Sequence, residues 1–181
     1  MSNSIILEIA RDAIEEELFD KAKIDRVDLE ASYDLLNEQR ACFVTLYSDG
    51  RLRGCIGSLF PTRKLIDDIV VNAQNAAFRD FRFQPLSKKE FANVEIEVSL
   101  LSIPKIVIYD SIEELREKIR PNIDGVILKQ EQNQATFLPQ VWEDLPTFDE
   151  FFEQLSLKAG LDIDSLTHFP EIFTYQVEKV K

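Results

Sequence analysis

Ala41-Cys42-Phe43-Val44-Thr45-Leu46-Tyr47-Ser48-Asp49-Gly50-Arg51-Leu52-Arg53-Gly54-Cys55-Ile56-Gly57 holds two β-rich runs joined by Asp-Gly. Asp-Gly between apolar runs is a strong signal for a tight antiparallel hairpin, because both turn positions need positive φ. With a two-residue loop, Ser48 faces Arg51. Counting back then sets Val44 opposite Cys55 and Cys42 opposite Gly57, with the two cysteines diagonal on one face. A single bulge would flip that register. Side chains alternate along a strand, so Arg53, Cys55 and Gly57 are expected on one side and Leu52, Gly54 and Ile56 on the other. Gly54 and Gly57 carry no side chain, which lets a ligand or another backbone come close.

Outward from the hairpin, the pattern alternates between helical and strand periods. Residues 4–19 place Ile6, Ile9, Ala10, Ala13, Ile14 and Leu18 at helical spacing, and residues 63–78 do the same with Leu65, Ile66, Ile69, Val70, Ala73, Ala76 and Ala77. Residues 20–40 read as a long polar connection with a short helical turn. Ser87 and Glu90 form a capping box ahead of a short helix to Phe91, and Ser111-Ile112-Glu113-Glu114 opens another to about Ile119. Val94–Leu100 alternates as a strand with one buried face; 125–129 and 134–138 read as two more strands, and 172–180 as a last one. Thr147-Phe148-Asp149-Glu150 starts a helix that Gly160 closes. No regular βαβ rhythm, repeat or linker interrupts this order. The expectation is therefore an α+β fold, a largely antiparallel mixed sheet flanked by helices, in one domain over 1–181. A division into two lobes with a cleft between them stays open.

The 181 residues include 45% hydrophobic and 30% charged side chains, the composition of a globular protein that needs no disulfide or metal to fold. The net charge of −12 argues against a nucleic-acid binder and against docking on an anionic membrane. No signal peptide or membrane-length apolar run is evident, so a cytoplasmic protein with two free thiols, Cys42 and Cys55, is expected.

Cys55 is the leading candidate for chemistry. A guanidinium near a thiol favours the reactive thiolate, and Arg53 is expected on the same strand face. A buried structural cysteine is the plainer reading. Arg53 and Arg82 read either as partners of a thiolate and clamps for an anionic ligand, or as solvated side chains; Asp80 and Arg82 can also simply pair. Glu97, on a strand face with Glu95 and Ser99, reads as a general base, as the orienter of a bound amine, or as one residue of a wet face. Asp124-Gly125 reads as a turn, or as an aspartate facing a cleft. His168 is the only histidine, and nothing in the sequence brings it to Cys55. Two cysteines and one histidine do not match four-ligand zinc spacing, and no phosphate loop, dinucleotide fingerprint or nucleophile elbow is present. The sequence names no cofactor and leaves a metal held by carboxylates open.

Leu52-Arg53-Gly54-Cys55-Ile56-Gly57 resembles the signature of the AMMECR domain family. The resemblance continues through Cys42–Leu46, Ala76-Ala77-Phe78-Arg79-Asp80, Arg82-Phe83, Glu97–Leu101, Asp124-Gly125-Val126, Ala135–Trp142 and Lys158-Ala159-Gly160-Leu161. The later blocks look most like the prokaryotic branch, protein A of the AmmeMemoRadiSam system. The resemblance implies Memo-like and radical S-adenosylmethionine proteins as companions, and leaves the reaction unassigned. In eukaryotic members a histidine–glycine pair stands where this chain has Asp124-Gly125, so a mechanism needing that histidine does not carry over. The expectation is a cysteine-dependent small-molecule enzyme. Cys55 serves as nucleophile, Glu97 or Asp124 handles protons, and Arg53, Arg82, Gly54 and Gly57 bind the substrate. The alternative is an adaptor or ligand sensor that uses the hairpin structurally.

Overall fold

The computed structural model describes residues 2–181. The fold is α+β, and the chain divides into two compact units: residues 1–101 with 178–181, and residues 102–177.

The first unit is built on a four-stranded sheet in the order β2-β1-β3-β8. These strands are β1 (Cys42–Ser48), β2 (Arg51–Gly57), β3 (Glu95–Leu101) and β8 (Val177–Val180). One face carries Cys42, Val44, Leu46, Val98 and Leu100, and it packs with helices α1 (Ser2–Phe19) and α3 (Leu65–Phe78) into one aliphatic core. The inward residues of both helices are those expected from their spacing. The connection between α1 and β1 holds more than one turn: helix α2 (Arg26–Ser32), capped by Asp25 accepting from the Asp28 N–H, and a 3₁₀ turn over Asp34–Asn37. Helix α4 (Lys88–Phe91) begins at Ser87 with both halves of its capping box made.

The hairpin turns at Asp49 (φ 51°) and Gly50 (φ 72°), and Ser48 pairs with Arg51 as expected. Beyond that the register differs. A bulge between Leu46 and Tyr47 sets Tyr47 opposite Leu52 and Leu46 opposite Gly54, leaving Arg53 as the extra residue. Cys55 therefore faces Thr45 rather than Val44, and Gly57 faces Phe43 rather than Cys42. The two cysteines fall on opposite faces: Cys42 is buried in the core and Cys55 is half-buried on the other side. Leu52, opposite Tyr47, joins the Cys55 side.

The second unit holds a sheet in the order β4-β7-β5-β6. Its strands are β4 (Lys105–Val107), β5 (Gly125–Gln130), β6 (Asn133–Phe137) and β7 (Glu171–Tyr175), with helices α5 (Ile112–Lys118) and α6 (Phe148–Lys158). Its core mixes aliphatic side chains with an aromatic cluster, in which Trp142 stacks on Phe151 at 3.7 Å between ring centres. The alternating segment expected as one last strand is two, β7 and β8, broken at Gln176 and belonging to different sheets. Among the described residues, no helix is long and apolar enough to cross a membrane.

Candidate functional site

Pairing across three strands aligns Cys55 on β2, Thr45 on β1 and Glu97 on β3, since Thr45 pairs with Cys55 on one side and Glu97 on the other. Cross-strand partners point to the same face, so the three side chains form a row on the sheet face opposite the helices. The Thr45 hydroxyl lies 3.4 Å from Cys55 Sγ and donates to it. The next pairs along this face set Phe43 between Gly57 and Ser99, and Tyr47 between Leu52 and Glu95. A Cβ on Gly57 would stand 2.2 Å from the Phe43 ring, so the glycine lets that ring lie on the strand. Contrary to the wet-face reading, Glu97 and Ser99 are buried, at 2% and 1% exposure.

Two cations serve Glu97. Lys181 Nζ lies 2.7 Å from Oε2 and Lys179 Nζ 3.8 Å from Oε1. The Lys181 contact is an ion pair without hydrogen-bond alignment, and Oε2 has no aligned donor. The carboxylate raises the Lys181 ammonium above its ordinary value. Burial, followed by the Glu97 charge, pushes up the Tyr47 phenol. Tyr47, Glu95, Ile96, Glu97 and Lys181 line a cavity of about 310 Å³.

The two arginines expected beside the thiolate hydrogen-bond to other groups, Arg53 away from Cys55 and Arg82 to its backbone. Arg53 Nε donates to Glu90 (2.9 Å) and Nη2 to the Gln84 carbonyl (2.8 Å), and its guanidinium stands over Phe83. Arg53 in turn holds the Glu90 carboxyl down at about 2. Arg82 pairs with the buried Asp80 through Nε (2.9 Å) and Nη2 (2.6 Å). This pair clamps the outer edge of β2: Asp80 Oδ2 accepts the Cys55 N–H at 2.9 Å, and Arg82 Nη2 donates to the Cys55 carbonyl at 3.2 Å. The clamp satisfies the two backbone groups that an edge strand leaves open. Arg82 lowers the Asp80 carboxyl to about 2, and a charge on Cys55 is among the smaller causes that raise Arg82.

Gly54 faces α3, where an added Cβ would meet the Ala76 carbonyl oxygen at 2.2 Å. It serves helix–sheet packing. On the same core side, the Asp68 carboxylate accepts from the Cys42 N–H, the Ser58 hydroxyl and the Asn72 amide. Burial first, and Asp68 second, push the Cys42 thiol up.

Asp124 lies in the second unit. Its carboxylate is held by Arg120 through the backbone N–H (3.0 Å), Nε (3.0 Å) and Nη2 (2.6 Å), and its carbonyl accepts from the Trp142 indole. Gly125 admits the Tyr175 ring, 2.5 Å from where a Cβ would stand. His168 is exposed in a 3₁₀ turn of the same unit. Among the described residues, no three His, Cys, Asp or Glu side chains are grouped to hold a metal.

The AMMECR1 family model matches residues 7–180. A protein of Methanothermobacter thermautotrophicus is 34% identical over 178 residues, which cover 96% of this chain and 89% of that one. The chain belongs to the AMMECR1 family. A Methanocaldococcus jannaschii protein is 36% identical over 146 residues, 77% of this chain and 71% of its own. The crystal structure of an uncharacterized protein from Pyrococcus horikoshii matches with a TM-score of 0.85 at 31% identity, covering 97% of this chain and 88% of that one. Sequence reasoning about this AMMECR1 chain missed Thr45, Tyr47, Lys179 and Lys181. Thr45 and Tyr47 would follow from the hairpin once the bulge is placed. Local pattern carries no signal for the lysines, which reach Glu97 from β8 and the residue after it, some eighty residues away.

Proposed function

We propose that this AMMECR1 family member is a cysteine-dependent enzyme acting on a small molecule, with Cys55 as nucleophile. The row Cys55–Thr45–Glu97, half-buried at the cysteine and closed at the carboxylate, carries the reading. The Cys55 sulfur attacks an electrophilic carbon, an S–C bond forms as the bond to the leaving group breaks, and the leaving group takes from solvent the proton that the thiol released to it. An acceptor then attacks the same carbon and releases the thiolate, which completes an acyl or alkyl transfer. The Thr45 hydroxyl steadies charge on the sulfur. Arg82 and Asp80 are positioning residues that fix the Cys55 backbone, and Arg53 anchors the bulge to Glu90. Asp124, taken up by Arg120, is assigned no step. We place the reaction in the cytoplasm, where both thiols stay reduced.

p-Nitrophenyl acetate tests this directly. The intact protein is expected to gain one acetyl group on Cys55 with release of p-nitrophenolate, and Cys55→Ser to show neither. Acetylation confined to lysines, or found on Cys42, rejects the reading.

Phe81, beside the clamp and 94% exposed, favours a second reading in which this loop docks the Memo-like and radical S-adenosylmethionine companions. Phe81→Ser would then lose co-purification with them while Cys55→Ser keeps it. Equal retention in both variants leaves the docking reading without support.

A further inference from the structure

We propose that the substrate of this site carries an ammonium group, and that Glu97 binds it in the place the Lys181 side chain now takes. The inference rests on the Cys55 reading above and names the substrate class for it.

The first observation is the mismatch between the two partners at Glu97. The carboxylate is buried to 3% side-chain exposure on a central strand of its sheet, whereas the Lys181 side chain that serves it is 69% exposed. A buried carboxylate costs several kcal/mol unless a cation stays with it. Lys181 is the member free to leave, and since Lys179 comes no nearer than 3.8 Å to Oε1, a second positive group suits the vacated place at Oε2 best. The second observation is that Oε2 lacks an aligned donor although Lys181 Nζ is only 2.7 Å away. Oε2 is therefore occupied by the Lys181 ammonium, and a better-directed N–H can take it over once that side chain leaves. The third is the cavity of about 310 Å³ at this point, whose lining includes Tyr47 with Glu95 and Glu97. A primary ammonium has three N–H donors; Glu97 takes one or two, and the Tyr47 phenol oxygen can take another.

The row also sets a length. Cys55 and Glu97 are two strand spacings apart, so their Cα atoms are about 9–10 Å distant. A molecule whose nitrogen sits on Glu97 reaches the sulfur with a carbon several bonds away. The expected substrate is thus a small amine with an electrophilic carbon a short chain from its nitrogen. Glu97 acts by binding the ammonium and aiming that carbon at Cys55.

The 181-residue chain, with backbone amides resolved by NMR, tests this with n-butylammonium chloride as probe and n-butanol and sodium butyrate as controls. Saturable shifts of the Thr45, Tyr47, Cys55 and Glu97 amides are expected with the ammonium alone. Lys181→Ala removes the internal competitor and should tighten binding about threefold or more. Glu97→Gln should weaken it about tenfold or more. Equal shifts with butanol or butyrate, or unchanged binding in Glu97→Gln, overturn the proposal. Where Glu97→Gln does not fold, Lys181→Ala decides, and unchanged or weaker binding there overturns it. Acetylation of Cys55 is scored separately. Amine binding with an inert Cys55 removes the enzyme reading and keeps the ammonium site; a reactive Cys55 without amine binding removes this inference alone.

Discussion

Gly54 leaves no room for a methyl group, because the Ala76 carbonyl oxygen already fills the position at 2.2 Å. Backbone of a packed helix cannot yield as a side chain can, so Gly54→Ala is expected to cost about 1–3 kcal/mol in urea denaturation. A loss within about 0.5 kcal/mol, the usual size for an uninvolved surface position, contradicts that packing. Asp80 is the second decisive residue. Its folded pKa, lowered to about 2, lies below the ordinary carboxylate value near 3.9. The stabilisation of about 2 kcal/mol is therefore present above the unfolded value and lost as pH falls through the folded one. Asp80→Asn should destabilise the protein at pH 6, and the gap to the parent should close between about pH 4 and 2. A gap that stays constant over that range refutes the assigned role. The Asp80–Arg82 pair was legible as an option from two letters with one residue between them. Its grip on Cys55, twenty-five residues back, was not, because no local pattern reports which strand edge a loop will cover.

Elements were legible where their signals are local. Asp49-Gly50 marked the turn, Ser87 with Glu90 marked the start of α4, and the alanines of α3 announced close packing. The bulge at Arg53 was not legible. It changes the register by one residue, and with it exchanges Val44 for Thr45 opposite Cys55. Its cause is tertiary, since the extra residue sends its guanidinium to Glu90 and the Gln84 carbonyl. Burial of Glu97 and Ser99 was hidden for a related reason: polar letters on alternate positions describe a wet face equally well. Thr45–Cys55 is a pair whose outer amide looks away from β1, since the Cys55 N–H goes to Asp80. Asp80→Ala should therefore speed hydrogen exchange at Cys55 selectively, with Gly54 and Ile56 amides little changed. Uniform acceleration along β2, or none at Cys55, contradicts the clamp.

At the scale of the whole molecule, helix and strand periods were enough to establish α+β, but not the division into two sheets. The chain leaves the first unit at Ser102 and returns at Glu178, so a continuous alternation from Ile172 to Val180 is split at Gln176. There the Gln176 N–H donates to the Ser102 hydroxyl, and the Ser102 N–H to the Gln176 carbonyl. The single tryptophan reports on the second unit. Phe151→Ala, which removes the ring stacked on Trp142, should cost that unit about 3–5 kcal/mol, read from tryptophan fluorescence during denaturation. A much smaller loss would mean that the aromatic cluster does not hold the unit. The two thiols give the whole chain an internal control, one sealed in the aliphatic core and one at the head of the polar row. The most direct measurement is the iodoacetamide alkylation rate of each cysteine at pH 7, in the native protein and in the urea-unfolded chain, resolved by peptide mass spectrometry. A nucleophilic Cys55 reacts about tenfold or more faster folded than unfolded while Cys42 stays unlabelled. A folded Cys55 that reacts more slowly than its unfolded counterpart contradicts the account.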